Sequence, residues 1–143
     1  MKQVKTFLII ALIVGCSSGS EEDGYGSNNY NNQSSVTGYN ISVTSNGMSD
    51  YKLSGKDRDG NVSGNDPGIK YKVGDQITFM VTASGHPFYL KTKASLGAGD
   101  QISGVSNNGT VNGNVTWKPS SAGTYYYACS RHTNMFGVIT IIN

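Results

Sequence analysis

Cys129, His132 and Met135 fall within the seven-residue run Cys129-Ser130-Arg131-His132-Thr133-Asn134-Met135, and a second imidazole, His86, stands upstream in Gly85-His86-Pro87-Phe88. A thiolate, two imidazoles and a thioether together suit a mononuclear copper: one sulfur and two nitrogens in a trigonal plane, with a weak axial thioether. The chain has 2 histidines in all and a single cysteine beyond its N-terminal segment, so the whole histidine inventory goes to this group. Zinc competes for the first three donors, but the soft thioether favours copper.

These donors need a scaffold that brings distant chain segments to one point. Alternation of apolar and polar residues predicts strands at Ile41-Ser42-Val43, Tyr51-Lys52-Leu53, Tyr71-Lys72-Val73 and Ile77-Thr78-Phe79-Met80-Val81. The same signal recurs at Phe88-Tyr89-Leu90, Val115-Thr116-Trp117, Tyr125-Tyr126-Tyr127 and Val138-Ile139-Thr140-Ile141. Turn signals separate them: Asp59-Gly60, Asp66-Pro67-Gly68, Gly74-Asp75, Asn108-Gly109 and Ser121-Ala122-Gly123. No apolar helical period of useful length is present, and the reading is an all-β Greek-key sandwich or small barrel. Residues i, i+2 and i+4 of a strand share a face. Tyr125, Tyr127 and Cys129 are therefore expected to point inward and wall the metal from water, with Tyr126 and Ala128 outward. Met80 reads as core and Met48 as a loop or strand-edge residue. The acidic run Asp57-Arg58-Asp59-Gly60-Asn61 starts like a calcium loop, but its glycine is misplaced and no Glu follows at the twelfth position, so it reads as a hairpin turn.

The other cysteine belongs to the N-terminus. Lys2 and Lys5 precede an apolar run from Phe7 to Val14, about eight residues and too short to span a bilayer. Residues 1–15 read as an export signal, and Ile13-Val14-Gly15-Cys16 resembles a bacterial lipobox, with Cys16 lipidated as the new N-terminus. Two or more acyl chains there give stable anchoring. A Cys16–Cys129 disulfide is the competing reading, disfavoured because it would tie a signal-peptide residue to a strand end. Residues 16–36, rich in Ser, Gly and Asn, read as a flexible tether with a reach of about 25 Å. Residues 37–143 form one domain. The expected location is outside the cytoplasm, on the cell or outer membrane and facing periplasm or exterior.

The formal charge is +2; without Lys2 and Lys5 it falls to zero. Residues 37–143 carry nine basic and six acidic side chains, a mild excess that falls well short of a nucleic-acid footprint. Enzymatic copper centres need more histidines or a second loop cysteine, and no Ser-His-Asp set is free once both histidines are assigned, so no enzyme is expected.

From Cys129-x-x-His132-x-x-Met135 onward the sequence resembles the cupredoxins, over residues 37–143. The ligand-loop spacing is that of the amicyanins, whereas plastocyanins and pseudoazurins place the Met two residues later. Tyr125-x-Tyr127-x-Cys129 before the loop, Gly137 and an apolar strand after it, and Gly74-Asp75-x-Ile77-x-Phe79 upstream also fit. The resemblance implies His86, Cys129 and His132 as equatorial ligands and Met135 as axial ligand of one copper. It implies a one-electron shuttle between a redox donor and a redox acceptor, monomeric, with the His132 edge as electron port and Phe136, Phe88 and Pro87 around it. A copper-delivery lipoprotein without redox turnover is the alternative. One position departs: cupredoxins usually carry Asn after the first ligand His, tying the ligand loops together and donating a backbone N–H to the Cys sulfur. Pro87 has no N–H to give; Arg131, where amicyanins have Pro, keeps one.

Overall fold

The computed structural model describes residues 37–143; the signal segment 1–15, Cys16 and the tether 16–36 lie outside the described residues. Nine strands follow in order: β1 Gly38–Asn46, β2 Asp50–Asp57, β3 Gly60–Asn65, β4 Ile69–Lys72, β5 Gln76–Thr82, β6 Phe88–Lys91, β7 Asn112–Trp117, β8 Gly123–Cys129 and β9 Phe136–Ile142. No helix occurs among the described residues. The strands form two mixed sheets, β3-β2-β1-β5-β7 and β4-β9-β8-β6. Each sheet has one parallel pairing, β1 with β5 and β4 with β9.

Period-two patterning explains the packing. In β5, Ile77, Phe79 and Val81 are buried while Gln76, Met80 and Thr82 face solvent. Met80, expected in the core, is instead 42% exposed, because it lies between two inward residues and the pleat turns it outward. The inward rows of the two sheets meet as one core, with Ile41, Val43, Leu53 and Phe79 from one side and Leu90, Tyr127, Ile139 and Ile141 from the other. β3 was not predicted: Gly-Asn-Val-Ser-Gly-Asn offers one apolar side chain, Val62, and the strand exists because the turn after β2 folds it back into register, Asp57 opposite Gly60. In that turn Asp57 Oδ1 accepts the Asp59 and Gly60 N–H groups at 2.8 and 3.1 Å, and Oδ2 accepts the Lys70 N–H at 2.8 Å. The acidic run is thus a hairpin turn, as expected.

Two connections form one end of the sandwich. Residues 83–87 carry the chain from β5 in the larger sheet to β6 in the smaller one, and residues 130–135 join β8 to β9. A longer segment, 92–111, runs back along β6, with Asn108 Oδ1 accepting the Leu90 N–H at 2.7 Å and Phe88 N–H donating to Thr110 O at 3.0 Å. It explains a second difference from expectation. Ala128, expected outward, is buried, because Ala94, Ser95 and Leu96 lie over the outer face of β8.

Candidate metal centre

Gly85 opens the turn to His86 with φ +81°, a left-handed conformation that costs glycine little. His86 N–H then closes the turn onto Ala83 O at 2.9 Å, and Pro87 fixes the approach to β6. Cys129 is the last residue of β8 and stands opposite Phe88 in the β6–β8 pairing. That register brings the residue two before Phe88 next to the thiol. After Cys129 the chain turns tightly: Met135 N–H donates to His132 O at 3.4 Å, and Cys129 N–H donates to Met135 O at 2.9 Å, closing the loop where β9 begins.

These local folds converge. The side-chain donor atoms of His86, Cys129 and His132 all lie within 4.8 Å of one another. His132 Nδ1 stands 3.5 Å from Cys129 Sγ, and the two imidazole rings sit 4.8 Å apart at 36°. Met135 is fully buried and lines the same small cavity, about 20 Å³, as Cys129 and His132. Cys129 is a free, buried thiol. Arg131 N–H points at its sulfur from 3.5 Å, so the available donor is the one anticipated when Pro87 gives none.

His86 Nδ1 is buried with no hydrogen-bond partner. Such an atom costs free energy unless something binds it. Burial, then the His132 and Arg131 charges nearby, pushes the His86 imidazole below its usual range, which favours the neutral form that coordinates metals. An orphaned imidazole nitrogen, a second imidazole and a buried thiol facing one point fit a soft or borderline metal ion.

The surroundings differ in part from the expected wall. Tyr127 is inward and stacks on Phe88 at 5.7 Å and 19°. Its hydroxyl donates to Pro67 O at 2.8 Å, and a Cβ at Gly137 would collide with that hydroxyl, so this position admits only glycine. Tyr125 is half-buried, packs edge-on against Trp117 at 5.1 Å and lies four residues, roughly 13 Å of strand, from Cys129. Tyr51 takes its place beside the site, with its ring edge-on to Phe88 at 5.1 Å. Phe88 is fully buried and belongs to the wall, not to an exposed rim. The exposed apolar side chains here are Phe136 and Leu96, at 38% and 52%, flanking half-buried His132.

Sequence reasoning missed three supports. Tyr51 was read only as part of a strand. Lys91, to which the sequence assigned no part, is fully buried, donating to Ser95 O and Gly97 O at 2.5 and 2.9 Å, while Gly97 N–H donates to Ser130 O at 2.9 Å. Asn108 was read only as a turn residue, yet its amide holds both the N–H and the carbonyl of Leu90. The alternation of β6 carries one signal: position 91 falls on the face opposite Leu90, and segment 92–111 covers that face.

No family model matches the sequence, and no curated protein sequence is similar to it. Solved structures do match the fold. A methionine-to-glutamine variant of rusticyanin is 18% identical, over 74% of this chain and 78% of that one, with a TM-score of 0.53. Rusticyanin from Thiobacillus ferrooxidans is 20% identical over the same shares, with a TM-score of 0.50. A further rusticyanin structure, of a molecule described as a copper protein, is 20% identical over 74% and 78%, with a TM-score of 0.51. The chain has the cupredoxin fold, and its His86–Cys129–His132 group stands between two loops at one end of that fold.

Proposed function

We propose that this protein is a mononuclear type 1 copper protein that carries single electrons between redox partners. The observation that carries the reading is the buried, unpartnered Nδ1 of His86 facing a buried thiol and a second imidazole. Copper held there supplies a Cu(II)/Cu(I) couple, one electron per cycle.

The chain's own residues then have distinct parts. Cys129 gives a thiolate, which is costly to bury without a cation and therefore binds one strongly. His86 and His132 would offer imidazole nitrogens, and Met135 a thioether sulfur. Phe88, Tyr127 and Tyr51, all fully buried, exclude water from the donors. Arg131 N–H steadies the sulfur. Half-buried His132, flanked by Phe136 and Leu96, is the port where a partner docks over a small, weakly held interface. The protein acts as a monomer outside the cytoplasm, tied to a membrane by lipid on Cys16, and the tether lets one small domain meet donor and acceptor in turn. It binds no nucleic acid.

The test is to titrate the purified metal-free protein with Cu(II) and record its visible spectrum and voltammetry. The expected result is one copper per chain, an intense thiolate-to-copper charge-transfer band and a reversible one-electron wave, with band and wave lost in Cys129→Ser. A colourless copper complex would replace electron transfer with copper delivery. No stoichiometric binding would overturn the copper reading itself.

A further inference from the structure

The loop that presents His86 is held by its carbonyl oxygens. Three in succession face side-chain donors: Gly85 O accepts from Arg131 Nη1 at 3.3 Å, and His86 O and Pro87 O share the single Tyr51 hydroxyl proton, with oxygen separations of 3.1 and 3.0 Å. Arg131 belongs to the Cys129 loop. Tyr51 comes from β2 in the larger sheet, 35 residues before His86 in the chain.

The geometry points to Tyr51 as a positioning residue of the metal centre: its hydroxyl clamps the carbonyls of His86 and Pro87 and so sets where the His86 imidazole stands relative to Cys129. The consequences for a bound metal rest on the copper reading above; the clamp itself is a property of the polypeptide.

Three observations carry the assignment. Tyr51 is placed rigidly. Its N–H donates to Asp66 Oδ1 at 3.0 Å, and Asp66 N–H returns to Tyr51 O at 2.8 Å. Its ring meets Phe88 at 5.1 Å and Tyr127 at 6.3 Å, both edge-on. Phe88 lies two residues after His86 and Tyr127 two before Cys129, so the ring packs across the paired strands β6 and β8 beside both ligand-bearing segments. Second, Tyr51 is fully buried, and a phenol hydroxyl there must find acceptors or bear the cost of desolvation. It finds them in the ligand loop. Third, Pro87 contributes no N–H, so of these two residues only His86 braces the loop from within, through its N–H on Ala83 O, and the His86 and Pro87 carbonyls are left for partners outside the loop. Bracing from outside follows.

Tyr51→Phe keeps the ring and removes the clamp. Tyr71→Phe is the control: it also removes a fully buried phenol hydroxyl, one in β4 away from both ligand loops. In the metal-free full-length protein, the His86 amide should exchange with solvent about tenfold faster in Tyr51→Phe, with the β9 amides unchanged and Tyr71→Phe like wild type at His86. With Cu(II), Tyr51→Phe should weaken binding about 10–100-fold, the range seen when a partner of a metal ligand is lost, and shift the visible band and the reduction potential. Tyr71→Phe should leave band and potential in place. Unchanged His86 exchange in Tyr51→Phe, or equal changes in both variants, overturns the proposal. If wild type binds copper, unchanged affinity, band and potential overturn it too. If wild type shows no blue band, the copper reading fails and the exchange comparison alone decides the clamp. Should Tyr51→Phe not fold, the wild type still decides: the Tyr51 hydroxyl proton must be visible by NMR as slowly exchanging and close to His86 and Pro87, and its absence ends the proposal.

Discussion

The Asp75 carboxylate and His86 Nδ1, buried at opposite ends of the sandwich, are treated in opposite ways. β2 runs from Tyr51 at one end to the turn at Arg58, and β5 from Asp75 to the His86 loop, so Arg58 and Asp75 share the end away from the metal centre. There the Tyr71 hydroxyl is buried without a partner, but the buried carboxylate of Asp75 is fully matched. Asp75 is 2% exposed, receives Arg58 Nε and Nη2 at 2.8 and 2.6 Å, and accepts the Lys72 N–H at 2.8 Å. At the other end, His86 Nδ1 is buried with no partner, and the thiol has two long contacts, His132 Nδ1 and the Arg131 N–H, each at 3.5 Å. A fold able to satisfy a buried carboxylate three times over leaves this imidazole nitrogen bare. The unsatisfied group costs stability in the metal-free protein, and a bound metal recovers it.

The strongest way to break this comparison is to remove one polar group from each end. Asp75→Ala strands the Arg58 guanidinium and the Lys72 N–H and should lower the unfolding free energy by about 3 kcal/mol. His86→Phe removes an orphaned atom and should leave metal-free stability within about 1 kcal/mol of wild type, or raise it. Urea unfolding of both variants measures this, and a large loss in His86→Phe would show that the imidazole supports the fold.

Metal addition sharpens the same contrast. Cu(II) held at a hundred times its dissociation constant should stabilise the wild type by about 2.7 kcal/mol. The distant Asp75→Ala variant should gain the same increment, and His86→Phe nearly none, by thermal unfolding.

The smallest effect concerns two carboxylates shifted in opposite directions. Burial pushes Asp75 up, but Arg58 and the Lys72 N–H more than offset it, so its pKa ends below the ordinary value. Its contribution to stability is present above about pH 4 and fades as pH falls through the lowered folded value. Asp66, at the ligand end, is raised to about 6 by burial, against the Tyr51 N–H that favours its charge. The folded state holds that proton more tightly, so its contribution is present below about pH 4 and is lost as pH rises through about 6. Asp66 has φ +42°, which Asn tolerates, and Asn keeps an acceptor for Tyr51. Asp66→Asn should therefore gain up to about 1 kcal/mol over wild type at pH 7, a figure reduced for partial exposure, and nothing at pH 4. Unfolding curves at both pH values test the sign.

Much of this architecture was legible in the chain. All eight segments with period-two alternation lie in or overlap strands, because alternation is what half-burial in a pleated sheet demands. Asp57-Arg58-Asp59-Gly60 and Asp66-Pro67-Gly68 are turns, because their side chains and backbone preferences act over two or three residues. The donor types and the short Cys129-to-Met135 spacing named a metal-like site before any geometry was known. The misses have one cause. β3 is a strand through its neighbour, Met80 faces out because Phe79 and Val81 face in, and Ala128 and Lys91 are buried by a segment that follows β6.

By itself, then, the sequence determined which chemistry is possible and which residues alternate toward a core, since donor softness and strand periodicity are carried by residues a few positions apart. Only the tertiary structure decided that His86 Nδ1 is bare, that Tyr51 holds the His86 loop, and that Asp66 and Asp75 titrate in opposite directions. Desolvation and hydrogen-bond partnership depend on what packs against a group, and here those neighbours come from segments as far as 35 residues away and beyond.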